Sequence, residues 1–280
     1  MNNEQRTPDP VHPVNLLDTI VAFKRVEAAQ LPAQSITPEV LGKAVALGGR
    51  RRDFMAALLH PRRGDVALIA EVKKASPSAG VICRDFDPVR LAREYEAAGA
   101  SCLSILTDKE FFQGSLEDLR RVRQAVTLPL LRKDFIIDER QILETIEWGA
   151  DAVLLIVTLL DDHQLRHYQA LARSADLAAL VEVHNELELD HALAAGARLI
   201  GVNNRDLKTF QVSLDTTERL GARLRASAGG TTQLLVTESG IHGRADVERL
   251  RGWGVCAMLV GESLMRSGNI ALKAKELLGS

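Results

Sequence analysis

The sequence predicts a single α/β domain, a (β/α)8 barrel preceded by a helical extension, and three observations carry that prediction. From Asp65 onward, apolar strand-like runs alternate with helix-like segments. Four of those segments end in glycine and pass at once into such a run, at Ala98-Gly99-Ala100, Trp148-Gly149-Ala150, Ala195-Gly196-Ala197 and Trp253-Gly254-Val255. The runs are apolar at nearly every position, as parallel strands covered on both faces are. A doubly wound open sheet is the alternative, weakened by the lack of a GxGxxG after the first run.

Residues 1–13 carry Pro8, Pro10 and Pro13 among polar side chains and read as a disordered tail. Residues 14–64 read as the helical extension, packing on the barrel. Leu17, Ile20, Val21 and Lys24 recur at helical spacing, Pro38 opens a second helix, and Phe54, Met55, Leu58 and Leu59 mark the apolar face of a third. Arg50, Arg51 and Arg52, with Arg62 and Arg63, flank that last helix and read as solvated loop charge. Residues 65–280 form the barrel, with eight strands near 66–72, 102–106, 128–135, 152–157, 178–183, 199–203, 233–237 and 257–261. The intervening helices open on capping residues: Asp87 before Pro88, Ser115 three before Asp118, Asp138 three before Gln141, and Asn185 three before Glu188. The junction glycines suit the left-handed turn that ends a helix.

Bulk properties narrow the function. With 35 Lys and Arg against 37 Asp and Glu, the net charge of -2 argues against a nucleic-acid or membrane partner held by bulk electrostatics. No apolar run reaches the roughly 18 residues of a membrane span, and the polar, Pro-rich start resembles no targeting peptide, so a cytoplasmic protein is expected. No heptad or spare apolar helix stands out, and monomer is the default expectation. Cys83, Cys102 and Cys256 lack metal spacing and read as small buried hydrophobes.

Charged residues stand where an apolar strand should end. In Ile69-Ala70-Glu71-Val72-Lys73, alternation puts Ile69, Glu71 and Lys73 on one face, where burial costs several kcal/mol per charge unless partners are found. Ser76-Pro77-Ser78-Ala79-Gly80 follows, with the composition of an anion-wrapping loop. Other strands finish in Lys133, in Glu182 and His184, in Asn203, Asn204 and Arg205, and in Glu238, Ser239 and Gly240. Barrel enzymes build their sites at these strand ends, and two lysines with three glutamates make a coupled proton-transfer set. A ring of salt bridges closing the barrel is the structural reading of the same residues. Ser239-Gly240 and Gly261 stand where such folds hold phosphate on backbone N–H groups. His163 and His167, four apart on a helix, have no evident third ligand, and no metal is expected. Alternation turns His184 away from the cluster unless the strand end bends. A Schiff-base aldolase using Lys133 or Lys73, another phosphosugar isomerase and a non-catalytic phospholigand-binding barrel remain open on these residues alone.

Seven segments in order, IAEVKKASPSAG, LTDKEFFQGSLEDL, LLRKDFIID, LVEVHNELEL, GVNNRDLKTF, VTESGI and VGESLM, closely resemble the indole-3-glycerol phosphate synthase family of tryptophan biosynthesis. The resemblance implies a TIM barrel whose N-terminal extension helps cover the substrate. It implies ring closure of 1-(2-carboxyphenylamino)-1-deoxyribulose 5-phosphate, with loss of carbon dioxide and water, and no cofactor. Carried over, Lys133 is the acid at the substrate carbonyl, and Lys73 partners the carboxylate and serves as acid in dehydration. Glu182 is then the base, Glu71 and Glu238 orient lysines or hydroxyls, and Asn203 holds the reacting part. Ser76, Ser239, Gly240 and Gly261 hold the phosphate with Arg205 nearby, and Phe112, Pro77 and Leu207 sandwich the anthranilate ring. A depressed pKa for the acidic lysine, produced by the second lysine and by burial, is expected. Glu262 and His184 depart from residues found in some members, Ser and Asn respectively, and receive no role.

Overall fold

The computed structural model describes residues 16–206, 209, 211–227 and 232–279; the expected tail lies outside them. Eight parallel strands close into a barrel: β1 (Ala67–Val72), β2 (Cys102–Leu106), β3 (Leu130–Lys133), β4 (Ala152–Ile156), β5 (Ala178–Val183), β6 (Leu199–Asn203), β7 (Leu234–Glu238) and β8 (Ala257–Val260). Each pairs with its sequence neighbour, and β1 closes on β8 with Ala67 opposite Ala257. Three helices precede the barrel: α1 (Leu16–Gln30), α2 (Pro38–Gly48) and α3 (Phe54–Leu59). Those of the barrel are α4 (Pro88–Ala98), α5 (Leu116–Ala125), α6 (Glu139–Glu147), α7 (Asp162–Ser174), α8 (Glu186–Ala194), α9 (Asp215–Ala226), α10 (Arg244–Gly252), α11 (Glu262–Arg266) and α12 (Ile270–Leu278). The expected caps are formed: Asp87, Ser115, Asp138 and Asn185 each accept a backbone N–H in the first turn of their helix. Gly99, Gly149, Gly196 and Gly254 all take positive φ, 100°, 83°, 77° and 82°, where a Cβ would be strained.

Alternation divides the apolar residues into two cores. Ile69, Leu131, Leu154, Leu180, Val236 and Leu259 fill the barrel, while the intervening positions pack outward on the helices. Phe54 and Leu58 of α3 join the inner core and plug the barrel's amino-terminal end. The extension thus reaches both ends of the barrel, because α1 supplies Leu16, Leu17 and Ile20 to a cavity at the other. No helix among the described residues is long and apolar enough to cross a membrane.

Two sequence expectations are corrected. Arg51 and Arg52 are not solvated loop charges, whereas Arg50, Arg62 and Arg63 are exposed. The Arg51 guanidinium donates to the Ile146 carbonyl at 2.8 Å, and that of Arg52 to the Leu128 and Arg123 carbonyls at 2.7 and 2.9 Å. The Arg52 backbone N–H reaches Asp151 at 2.7 Å, whose other oxygen takes the Leu130 N–H at 2.9 Å. These bonds tie the segment before α3 to the bottom of the barrel, where carbonyls at loop ends would otherwise lack donors. Of the cysteines, Cys102 is buried in β2, but Cys83 and Cys256 are only half-buried. Arg52→Ala is expected to lower stability by about 2 kcal/mol, from two carbonyls left without donors. Urea unfolding checks this, and a loss below about 0.5 kcal/mol would show that the two bonds carry little of the fold's stability.

Candidate active site

The carboxyl ends of the strands open onto a cavity of about 420 Å³. Glu71 stands near the end of β1 with Lys73 just beyond; Lys133, Asn203 and Glu238 are the last residues of β3, β6 and β7, and Glu182 is next to last in β5. All six line the cavity, together with Ser76, Pro77, Phe112, Arg205, Ser239, Gly240 and Gly261. Leu207 lies outside the described residues.

At the cavity floor the Lys133 ammonium lies 3.1 Å from Glu182 Oε2 and 3.1 Å from Glu238 Oε2. The two carboxylates come from strands on either side of β6, and both are almost wholly buried. Asn203, between them, donates from Nδ2 to Glu182 Oε1 at 3.2 Å, and its Oδ1 accepts from Ser239 Oγ at 2.9 Å and from the Arg205 N–H at 3.0 Å. Lys73 pairs with Glu71, forming a second charge pair on the β1 wall. Glycines make room for these carboxylates. A Cβ on Gly261 would stand 2.5 Å from Glu71 Oε1, and one on Gly201 would stand 3.3 Å from Glu238 Oε1.

The pairing corrects the expectation of a depressed pKa for Lys133. Burial would lower it, but the charges of Glu182, Glu238 and Glu71 outweigh burial and hold the ammonium above the ordinary lysine value. The second lysine, Lys73, is matched by its own carboxylate and does not impose a bare positive charge. Burial would raise Glu182, yet Lys133, His184 and Asn203 hold it well below the carboxylate range. Glu238 goes the other way, pushed up to about 8 by burial and by the negative charge of Glu182. The two carboxylates around one ammonium therefore differ in proton affinity.

The turn after β7 is shaped by its backbone. Ser239 and Gly240 both have positive φ, 70° and 78°, an unusual conformation for serine. Buried Asn204 holds it, donating from Nδ2 to Thr237 Oγ1 and to the carbonyls of Glu238 and Ser239 at 2.9 to 3.1 Å. A Cβ on Gly240 would also meet Val212 at 2.6 Å.

Other expectations resolve differently. His184 follows Glu182 by two residues, which on a strand is the same face, and it puts Nε2 3.2 Å from Glu182 instead of facing away; the expectation misapplied the period of two. Glu262, on the cavity rim, pairs with Arg266 at 2.8 Å. His167 contacts Glu139 at 2.6 Å, its ring stacked on His163, and among the described residues no cluster of three His, Cys, Asp or Glu is placed to hold a metal.

Sequence reasoning assigned no role to Lys24. It is 2% exposed, and its ammonium lies 2.8 Å from Asp134, 2.9 Å from Asp108 and 2.7 Å from Glu27. Asp134 follows Lys133 and also takes Arg132 at 3.0 Å; Asp108 accepts the backbone N–H groups of Phe111 and Phe112 at 2.7 and 3.1 Å. One ammonium thus joins α1, the strand carrying Lys133 and the loop carrying Phe112. The signal was a lysine in the apolar stripe of a helix, a position that requires a buried counter-charge.

The closed barrel, with ionisable side chains gathered in one cavity at the carboxyl ends of its strands, has the layout of a (β/α)8-barrel enzyme. Comparison with known proteins gives its family. The family model described as indole-3-glycerol phosphate synthase matches residues 17–277. Proteins of that name are 48% identical over 256 residues in Desulfotalea psychrophila, covering 91% of this chain and 95% of the relative, and 49% identical over 270 residues in a Roseiflexus species, covering 94% and 98%. Among solved structures, a 3-hexulose-6-phosphate synthase superposes with a TM-score of 0.60 at 14% identity, covering 76% of this chain and 99% of that one, a likeness of fold alone. The chain belongs to the indole-3-glycerol phosphate synthase family, decarboxylating lyases of tryptophan biosynthesis that act on a phosphorylated small molecule. Lys24→Met is expected to cost about 3 kcal/mol in urea unfolding, because two buried carboxylates lose a shared counter-ion; a loss below about 1 kcal/mol would show that the join carries little of the fold's stability.

Proposed function

We propose that the chain closes the indole ring of 1-(2-carboxyphenylamino)-1-deoxyribulose 5-phosphate with Lys133 as the first acid. The observation that carries this reading is the Lys133 ammonium held between Glu182 and Glu238 at the cavity floor. The aromatic carbon bearing the carboxylate attacks the ketone carbon, and Lys133 delivers a proton to the ketone oxygen as it becomes a hydroxyl. Carbon dioxide leaves with its bonding electrons retained by the ring, which regains aromaticity. Lys73, first a partner of the substrate carboxylate, protonates the departing hydroxyl, and Glu182 takes the proton whose loss forms the indole double bond. A charged lysine is suited to protonate and has no lone pair with which to form a Schiff base, which favours ring closure over aldolase chemistry.

In this reading Glu71 and Glu238 orient the two lysines, and Asn203 holds the reacting part of the substrate. Ser76, Ser239, Gly240 and Gly261 bind the phosphate, with Arg205 beside it. Phe112 and Pro77, with Leu207, flank the anthranilate ring; Phe112 lies 6.1 Å from Phe135, and Leu16, Leu17 and Ile20 add apolar surface, which suits the bent conformer needed for closure. We also read residues 14–64 as an extension and 65–280 as the catalytic barrel of a cytoplasmic monomer, on the composition and periodicity of the sequence.

Mixing the purified protein with this substrate should give growing indole fluorescence and a product of the mass of indole-3-glycerol phosphate. Lys133→Ala should lower kcat by about 10²- to 10⁴-fold with KM within a few-fold; equal losses in kcat and in affinity would refute the general-acid role. Gly240→Val should raise KM about tenfold, the equivalent of one lost hydrogen bond to phosphate, with a smaller change in kcat. An unchanged KM would remove that turn from the phosphate site.

A further inference from the structure

His184 is outside the cavity lining, yet its surroundings are those of a built site. β5 ends at Val183, and His184, two residues after Glu182 and so on its face, sets its imidazole against the Glu182 oxygen that Lys133 does not take. Nε2 is 3.2 Å from Glu182 Oε1, and Nδ1 is 2.9 Å from Glu188 Oε2. The same Glu188 oxygen accepts the His184 backbone N–H at 2.8 Å, while Oε1 accepts Asn185 Nδ2 at 2.8 Å and Thr158 Oγ1 at 3.1 Å. Glu188 is thereby fixed by four donors and brackets the ring.

A neutral imidazole has one N–H and one lone pair. With a carboxylate oxygen against each ring nitrogen, one lone pair would face a negative charge; a doubly protonated ring turns both contacts into attractions. Nε2 has no aligned hydrogen-bond partner, so what its 3.2 Å contact with Glu182 contributes is set by the charge of the ring. We propose that His184 is a positioning residue, an imidazolium bracketed by Glu188 that holds the Glu182 carboxylate ionised and aimed at the substrate through the oxygen that Lys133 does not take. This rests on the reading of Glu182 as the base.

The groups bearing on the pair come from five elements: Glu188 of α8, Glu182 of β5, Lys133 of β3, Glu238 of β7 across the lysine, and the uncharged amide of Asn203 on β6. Burial disfavours the charged ring, but Glu182 and Glu188 outweigh it and hold the imidazolium up to about 10. A positive charge at each oxygen of Glu182 keeps it ionised through the neutral range and leaves its line to the substrate unchanged.

Two measurements test this. In the full-length protein at pH 8, the 15N signals of the His184 ring should show both nitrogens protonated; a neutral ring overturns the proposal, whatever the role of Glu182. For His184→Gln, which keeps a donor and loses the charge, the acid limb of the kcat profile should move up by about one pH unit or more, with KM within twofold. That gives about a tenfold deficit in kcat below the limb and near recovery above it. A lower unfolding temperature with an unmoved limb, or a raised KM at constant kcat, overturns the positioning role. Glu182→Gln separates the two readings: a variant that keeps wild-type kcat defeats the base assignment, and the ring nitrogens then decide the charge of His184 independently.

Discussion

The arrangement of the barrel mouth depends on one ammonium shared by two buried carboxylates. Glu182 and Glu238 stand on strands separated by β6, and their mutual repulsion at the cavity floor would be severe without Lys133 between them. Closure of the barrel sets β3 across from β7 and one strand away from β5, so fold and charge arrangement require each other. The neighbouring residues follow from that constraint. Gly201 leaves space for the Glu238 carboxylate, Gly261 leaves space for Glu71, and Asn204 pins the turn that carries Ser239 beside Asn203.

A second layer of charge lies around the first. His184 and Lys133 flank Glu182, Glu188 flanks His184, and Lys24 binds Asp134 next to Lys133. Signs alternate outward from the cavity, so each buried charge has an opposite neighbour within about 3 Å. The apolar counterpart is divided between the ends of the barrel, with α3 plugging the bottom and α1 contributing to the mouth.

Much of this was legible in the sequence because it depends on local periods. Alternation along β1 puts Glu71 and Lys73 inward with Ile69, and the left-handed glycines mark four helix-to-strand junctions where the structure has them. The thirteen described site candidates meet in one cavity because every strand of a parallel barrel ends at the same face. Partner identity was not legible. Whether Lys133 meets a lysine or a carboxylate depends on register across the barrel, and the expectation of a depressed pKa failed there. His184 was misplaced because the period of two was misapplied: two residues beyond Glu182 it belongs on the same face, and that is where it stands. Arg51 and Arg52 looked like loop charge because their acceptors are backbone carbonyls about 70 to 95 residues away, which no side-chain pattern records.

The most direct test of the central claim is the charge state of Lys133 itself, read from its side-chain 15N signal, assigned with Lys133→Arg, across about pH 6 to 10. Held by ionised Glu182 at every pH of that range, and by Glu238 as well once it ionises near 8, the ammonium stays charged throughout and titrates above the ordinary lysine value of about 10.4. A Lys133 amine that loses its proton near neutrality would contradict the account, and would mean that the carboxylates beside it are protonated instead.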